Sequence, residues 1–144
     1  MLKENFMDVA LEKAKMAANS EEVPVGAVIV HREKIVASAH NEIERAQDAT
    51  AHAEMIAIRG AMTALGQKFL IDCDIYVTLE PCAMCMQAIL LSRIKKLYFG
   101  AYNTLFAKSS SFALEIYGGL RWQNCELLLK EFFSRKRKNI SYPL

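Results

Sequence analysis

The distribution of apolar runs predicts an α/β domain around a mixed sheet of about five strands. Extended runs at 23–30, 35–40, 74–80, 95–101 and 112–117 alternate with helical stretches at 50–65 and 81–91. Strands separated by helices pair in parallel through crossovers. The first two runs are separated only by the polar turn His31-Arg32-Glu33-Lys34, which reads as a hairpin and makes the sheet mixed. Open sheets of this kind bind ligands beyond the carboxyl ends of their strands.

Composition sets the bounds. The 144 residues suit one domain, 1–144, with room for a real core. With 53% hydrophobic and 24% charged residues the chain reads as soluble and globular. No apolar run reaches membrane-spanning length, so no membrane partner is expected. Met1-Leu2-Lys3-Glu4-Asn5-Phe6 lacks the charged-then-apolar layout of a secretory signal. Cys73 and Cys125 sit in apolar-patterned surroundings and read as core thiols, which points to a reducing, cytoplasmic setting. A net charge of +2 is too small to indicate a nucleic-acid partner by itself.

In chain order, Glu4 to Asn19 forms an amphipathic helix. Its stripe is Phe6, Val9, Ala10, Lys13, Ala14 and Ala17, widened by Met7, Leu11 and Met16. Val23 to Val30 is almost wholly apolar, as in a central strand buried on both faces. Pro24 and Gly26 then mark a strand start and a close approach of the backbone, either to a ligand or to a packed neighbour. His31 reads as a solvated turn histidine, and His40 as a strand-end residue rather than a metal ligand. Asn41 is either a loop cap or an amide facing a base edge. The segment from Asn41 to Ala49 is a polar loop. The helix after Thr50 uses Met55, Ile56, Ile58, Ala61, Met62 and Leu65 for the core. Ser92-Arg93 ends the next helix. A last helix, about 124–138, turns Cys125, Leu128, Leu129, Phe132 and Phe133 inward and ends in Arg135-Lys136-Arg137-Lys138. That run suits either a solvated helix end or a phosphate contact.

Thr50-Ala51-His52-Ala53-Glu54 and Pro81-Cys82-Ala83-Met84-Cys85 carry the chemistry. Together they read H-x-E and P-C-x-x-C. C-x-x-C alone would equally suit a redox pair or two buried small residues. His52, Cys82 and Cys85 are the nitrogen and sulfur donors that zinc prefers, and three protein ligands leave a fourth, open position. Glu54 is left free to move protons. Thr50 is expected to cap its helix and Pro81 to occupy a first helical position. Cys82 and Cys85, three apart, then share one side of their helix. Backbones at Ala53 and Cys82 are placed to steady an intermediate.

The chain resembles the bacterial tRNA-specific adenosine deaminases of the cytidine deaminase-like superfamily. The likeness rests on Val23-Pro24-Val25-Gly26-Ala27-Val28, His40-Asn41, Thr50 to Met55, Thr78 to Cys85, Ser92-Arg93-Ile94, Phe99-Gly100-Ala101 and the stretch 126–136. The motif pair is the one shared by zinc-dependent nucleobase deaminases. The resemblance implies a three-layer α/β/α fold and a homodimer with one Zn2+ per subunit. It implies adenosine-to-inosine conversion at the wobble position of a tRNA anticodon stem-loop. Glu54 would be the general acid/base, and Asn41, Ala53 and Asn103 would contact substrate. Asn103 stands where the family pattern has an aspartate. The region 105–117 is shorter than that pattern and lacks its Asn-His word. Three rivals remain: a deaminase of free guanine or cytosine type substrates, a zinc-stabilised RNA-binding module, and a slow, degenerate relative.

Overall fold

The structure, a computed structural model, describes residues 2–103 and 114–139. The elements are α1 (Lys3–Asn19), β1 (Gly26–His31), β2 (Lys34–His40), α2 (Ile43–Ala46), α3 (Ala53–Leu65), β3 (Cys73–Leu79), α4 (Ala83–Leu91), β4 (Lys96–Ala101), β5 (Glu115–Tyr117) and α5 (Trp122–Asn139). The sheet order is β2-β1-β3-β4-β5. β1 is antiparallel to β2 and β3, whereas β3, β4 and β5 are parallel. The expected mixed sheet and its three-layer arrangement are both present. Residues 104–113 of the expected last loop and fifth strand lie outside the described residues.

Period-two alternation in β1 assigns the layers. Val28 and Val30 pack with Phe6, Met7, Ala10 and Leu11 of α1, and with Cys125 of α5. Ala27 and Ile29 face Ala57, Ile58 and Ala61 of α3. A strand covered on both faces needs apolar residues at every position, which is why the run is unbroken. On α1, Met16 is 47% exposed, so the stripe is narrower there than its spacing suggests. On α5, Phe133 is 44% exposed while Cys125 and Phe132 are buried. One face of α5 is thus covered, and Phe133 lies off it.

Gly26 explains the break in the apolar run. A Cβ there would run into the carbonyl oxygen of Ala10 and stand 2.7 Å from the amide nitrogen of Ala14. Both are helix backbone and cannot yield. The close approach is therefore α1 against β1, not a ligand. Its N–H donates to Thr78 Oγ1 at 3.1 Å, which fixes the start of β1 beside the end of β3.

Two helix starts differ from the sequence reading, each by two residues. His52, not Thr50, is the N-cap of α3, with extended φ −72° and ψ 149°. Thr50 sits in the preceding turn, where its N–H and hydroxyl both donate to Asp48 Oδ1 at 2.8 and 2.7 Å. Asp48 competes successfully for the threonine, as short polar side chains do in turns. α4 begins at Ala83, not at Pro81, with Cys82 as its N-cap. Pro81 precedes the cap and leads out of β3. The loop after Asn41 also contains the short helix α2.

Replacing Gly26 with alanine must separate α1 from β1. Urea denaturation should show Gly26→Ala losing about 2–3 kcal/mol, the scale of overpacking in a well-filled core. A loss below about 0.5 kcal/mol would show that the helix is not seated on the strand.

Candidate metal and active site

Antiparallel pairing brings the start of β1 and the end of β2 to the same rim as the end of β3. The register sets Gly26 opposite His40, and Ala27 opposite Val77. The end of β4 joins them, with Leu79 opposite Ala101. All the motif residues leave the sheet at this rim.

His52 and Cys82 are both N-cap residues, of α3 and α4, so two helix starts converge. Cys85 follows in the first turn of α4. His52 Nδ1 lies 3.6 Å from Cys82 Sγ and 3.5 Å from Cys85 Sγ. All three donor atoms fall within 4.8 Å of one another. Zinc bound at about 2.3 Å to sulfur and about 2.0–2.1 Å to nitrogen with tetrahedral angles needs an N···S separation of about 3.6 Å. The residues present therefore fit zinc in spacing as well as in chemistry. His40 is not in this group; its Nδ1 lies 2.9 Å from its neighbour's carbonyl, Asn41 O.

Burial pushes the Cys85 thiol well above its ordinary range, with the neighbouring Glu54 and Cys82 adding to the effect. A thiolate there requires a cation. Glu54, in the first turn of α3, is 3% exposed. Desolvation raises its carboxyl to about 7. Its Oε1 is buried without a hydrogen-bond partner among the described residues. An unpartnered buried oxygen beside three metal donors marks where a missing group would bind.

Asn41 is 5% exposed and holds the start of α3. Its Oδ1 accepts the Ala53 N–H at 2.8 Å, and its own N–H donates to Val25 O at 3.1 Å. The Ala53 amide is thus directed at Asn41, and the two residues form one unit. Asn103 lies in the chain leaving β4. Its N–H donates to Glu80 Oε1 at 3.0 Å, pinning that exit to the residue before Pro81. Two rim residues were missed by the sequence reading, Glu22 and Thr78. Both are buried polar side chains that accept backbone N–H groups. Glu22 reads only as a helix end; Thr78 opens one of the family words but reads there as a strand residue.

Among the described residues no helix is long and apolar enough to cross a membrane. Residues 1–101 match the family model for the cytidine and deoxycytidylate deaminase zinc-binding region. The tRNA-specific adenosine deaminase of Rickettsia typhi is 45% identical, over 93% of this chain and 99% of its own. A solved structure of the tRNA:A34 deaminases, which edit A to I at the wobble position of transfer RNA, superposes with a TM-score of 0.82. It is 38% identical, and the match covers 87% of this chain and 99% of that one. The guanine deaminase of Bacillus subtilis is 40% identical with a TM-score of 0.69, over 72% of this chain and 67% of its own. With near-complete coverage of the tRNA enzymes and a donor set spaced for zinc, the chain belongs to the tRNA-specific adenosine deaminase family of zinc-dependent deaminases.

Proposed function

We propose that this chain hydrolytically deaminates adenosine to inosine at the wobble position of a tRNA anticodon. The observation that carries the chemistry is the 3.5–3.6 Å spacing of His52 Nδ1 from both sulfurs, beside the unpartnered Glu54 Oε1. The observation that supports the substrate is the full-length likeness to tRNA deaminases.

In this reading His52, Cys82 and Cys85 hold one zinc per subunit. Bound zinc would supply Lewis acidity that lowers water's pKa to roughly 7. Glu54 lies off the ligand set, so its carboxyl is available to take the water proton. It delivers that proton to the ring nitrogen beside the attacked carbon, and then assists ammonia in leaving. Asn41, oriented through Ala53, offers its side-chain NH2 to the base edge. Asn103 faces the ribose as a neutral group. The target base must leave its stack, which costs least in a single-stranded loop such as an anticodon.

The basic end of α5 is assigned to RNA phosphates. Lys136 is partly engaged, with Nζ 2.6 Å from Glu21 Oε2, and Arg137 Nε donates to Phe133 O at 3.4 Å, so any phosphate contact there competes with bonds inside the chain. The protein acts in the cytoplasm as a single-domain homodimer. The outer face of α4 supports the dimer: Ala83, Gln87 and Leu91 are exposed, Leu91 at 74%. Leu91→Glu should halve the sedimenting mass; an unchanged mass would move the dimer contact elsewhere.

A second reading, deamination of a free purine base, is favoured by the likeness to guanine deaminase. An anticodon stem-loop with adenosine at the wobble position should yield inosine by mass spectrometry, while free adenine, adenosine, cytosine, cytidine and guanine do not react. Glu54→Gln should reduce that yield on the order of 10²–10⁴-fold with zinc retained. Product from guanine alone would transfer the activity to nucleobase salvage.

Zinc uptake supplies a test that needs no substrate. Both thiols must ionise to bind it, so metal-free protein should release protons as zinc enters at pH 7, and its affinity should rise with pH. Calorimetry in buffers of different ionisation enthalpy reads that release. Zero release would exclude the two cysteines as ligands.

A further inference from the structure

We infer that Glu22 is a positioning residue for the substrate site, holding from outside the 41–52 segment that carries Asn41 and His52. Glu22 is 2% exposed although it is acidic. A buried carboxyl group needs hydrogen-bond partners. Glu22 has one for each oxygen: the Glu44 N–H donates to Oε1 at 3.1 Å and the Arg45 N–H to Oε2 at 2.9 Å. These are first-turn amides of α2, which have no acceptor inside the helix. α2 has four residues, too few to be stable alone, and its own N-cap, Glu42, makes no side-chain cap hydrogen bond. Glu22 supplies the missing cap from more than twenty residues away.

The segment transmits this hold to the site. The Asp48 N–H donates to Ile43 O at 3.1 Å, and the Glu42 N–H donates to Ala51 O at 3.0 Å. The second bond joins the immediate neighbours of Asn41 and His52. Displacing α2 therefore displaces both. Glu22 is itself anchored, because its N–H donates to Ala17 O at 2.9 Å at the end of α1. Three residues on, Val25 O accepts the Asn41 N–H. Asn41 is thus reached from one anchor by two routes, through α2 and through the start of β1.

Glu22 acts through other residues, so its loss should weaken substrate binding more than turnover. The inference rests on Asn41 contacting the substrate. Glu22→Ala and Glu22→Gln, as zinc-loaded full chains, test it. Hydrogen exchange at the Glu44 and Arg45 amides should quicken roughly tenfold or more in Glu22→Ala, the scale of losing a buried acceptor. KM for the wobble-adenosine stem-loop should rise about tenfold with kcat within about twofold and zinc content unchanged. Glu22→Gln keeps the shape and one acceptor oxygen, so it should fall between wild type and Glu22→Ala on both measures. Unchanged exchange, or unchanged KM while wild type makes inosine, overturns the inference, as does a lowered kcat at constant KM. A wild type that makes no inosine is a failure of the substrate reading instead. Glu22 is then judged by the same exchange and by KM on whichever free base the wild type deaminates.

Discussion

The structure depends on one convergence: α3 and α4 must begin at the same point. Zinc tolerates little variation in donor spacing, and only the first residues of each helix come near enough to supply it. Placing His52 and Cys82 at N-cap positions sets their side chains against each other, Nδ1 3.6 Å from Sγ, where the two helices begin. Cys85, three residues into α4, returns to the same side. Helix N-termini also carry partial positive charge, which works against the burial that raises the Cys85 thiol and the Glu54 carboxyl but does not overcome it. The sheet serves this arrangement. An antiparallel β1 and a parallel β3–β4 pair bring four strand ends to one rim, from which both helices start.

That rim is irregular backbone, and irregular backbone must satisfy its amides without a ladder. It does so with side chains. Thr78 accepts the Gly26 N–H, Asn41 that of Ala53, Glu22 those of Glu44 and Arg45, and Glu80 that of Asn103. Each contact crosses between segments, so the loops are fixed relative to one another and not only within themselves. Against this background Glu54 Oε1 is distinct. Among the described residues it is the buried side-chain oxygen left without a partner. Unsatisfied polarity is costly and is tolerated where the reaction requires it.

The parts legible in the sequence were those that act locally. H-x-E and P-C-x-x-C specify donor type and spacing along the chain, and the unbroken apolar run of β1 specifies burial on both faces. Both helix starts were off by two residues because tertiary demands overrode propensity. Thr50 is an ordinary N-cap candidate, but Asp48 engages it, and His52 must take the boundary to aim its ring. Gly26 announced a close approach without saying to what; only the packing of α1 decided it. Glu22 was invisible, since nothing in its neighbours encodes an acceptor for amides more than twenty residues away.

The same comparison separates the family words by what they do. Ser92 caps the end of α4, and Arg93 takes φ 60° with its guanidinium 4.0 Å from the centre of the Phe69 ring. Gly100 leaves room for Cys125 of α5, whose Sγ a Cβ would meet. Val23-Pro24-Val25-Gly26 seats β1 under α1. These words build the scaffold and would serve any deaminase of this fold. The two motif words choose zinc chemistry. Neither group chooses adenosine in an anticodon over a free base. In the proposed function that choice falls to surfaces outside the motifs: Asn103 at the exit of β4, the segment held by Glu22, and the basic end of α5. Asn103 replaces a carboxylate with a neutral amide where the ribose is expected, and a neutral group meets a 2′-hydroxyl without the strength of a charged acceptor. On that proposal, recognition of the nucleic acid is distributed among contacts that the catalytic words do not encode.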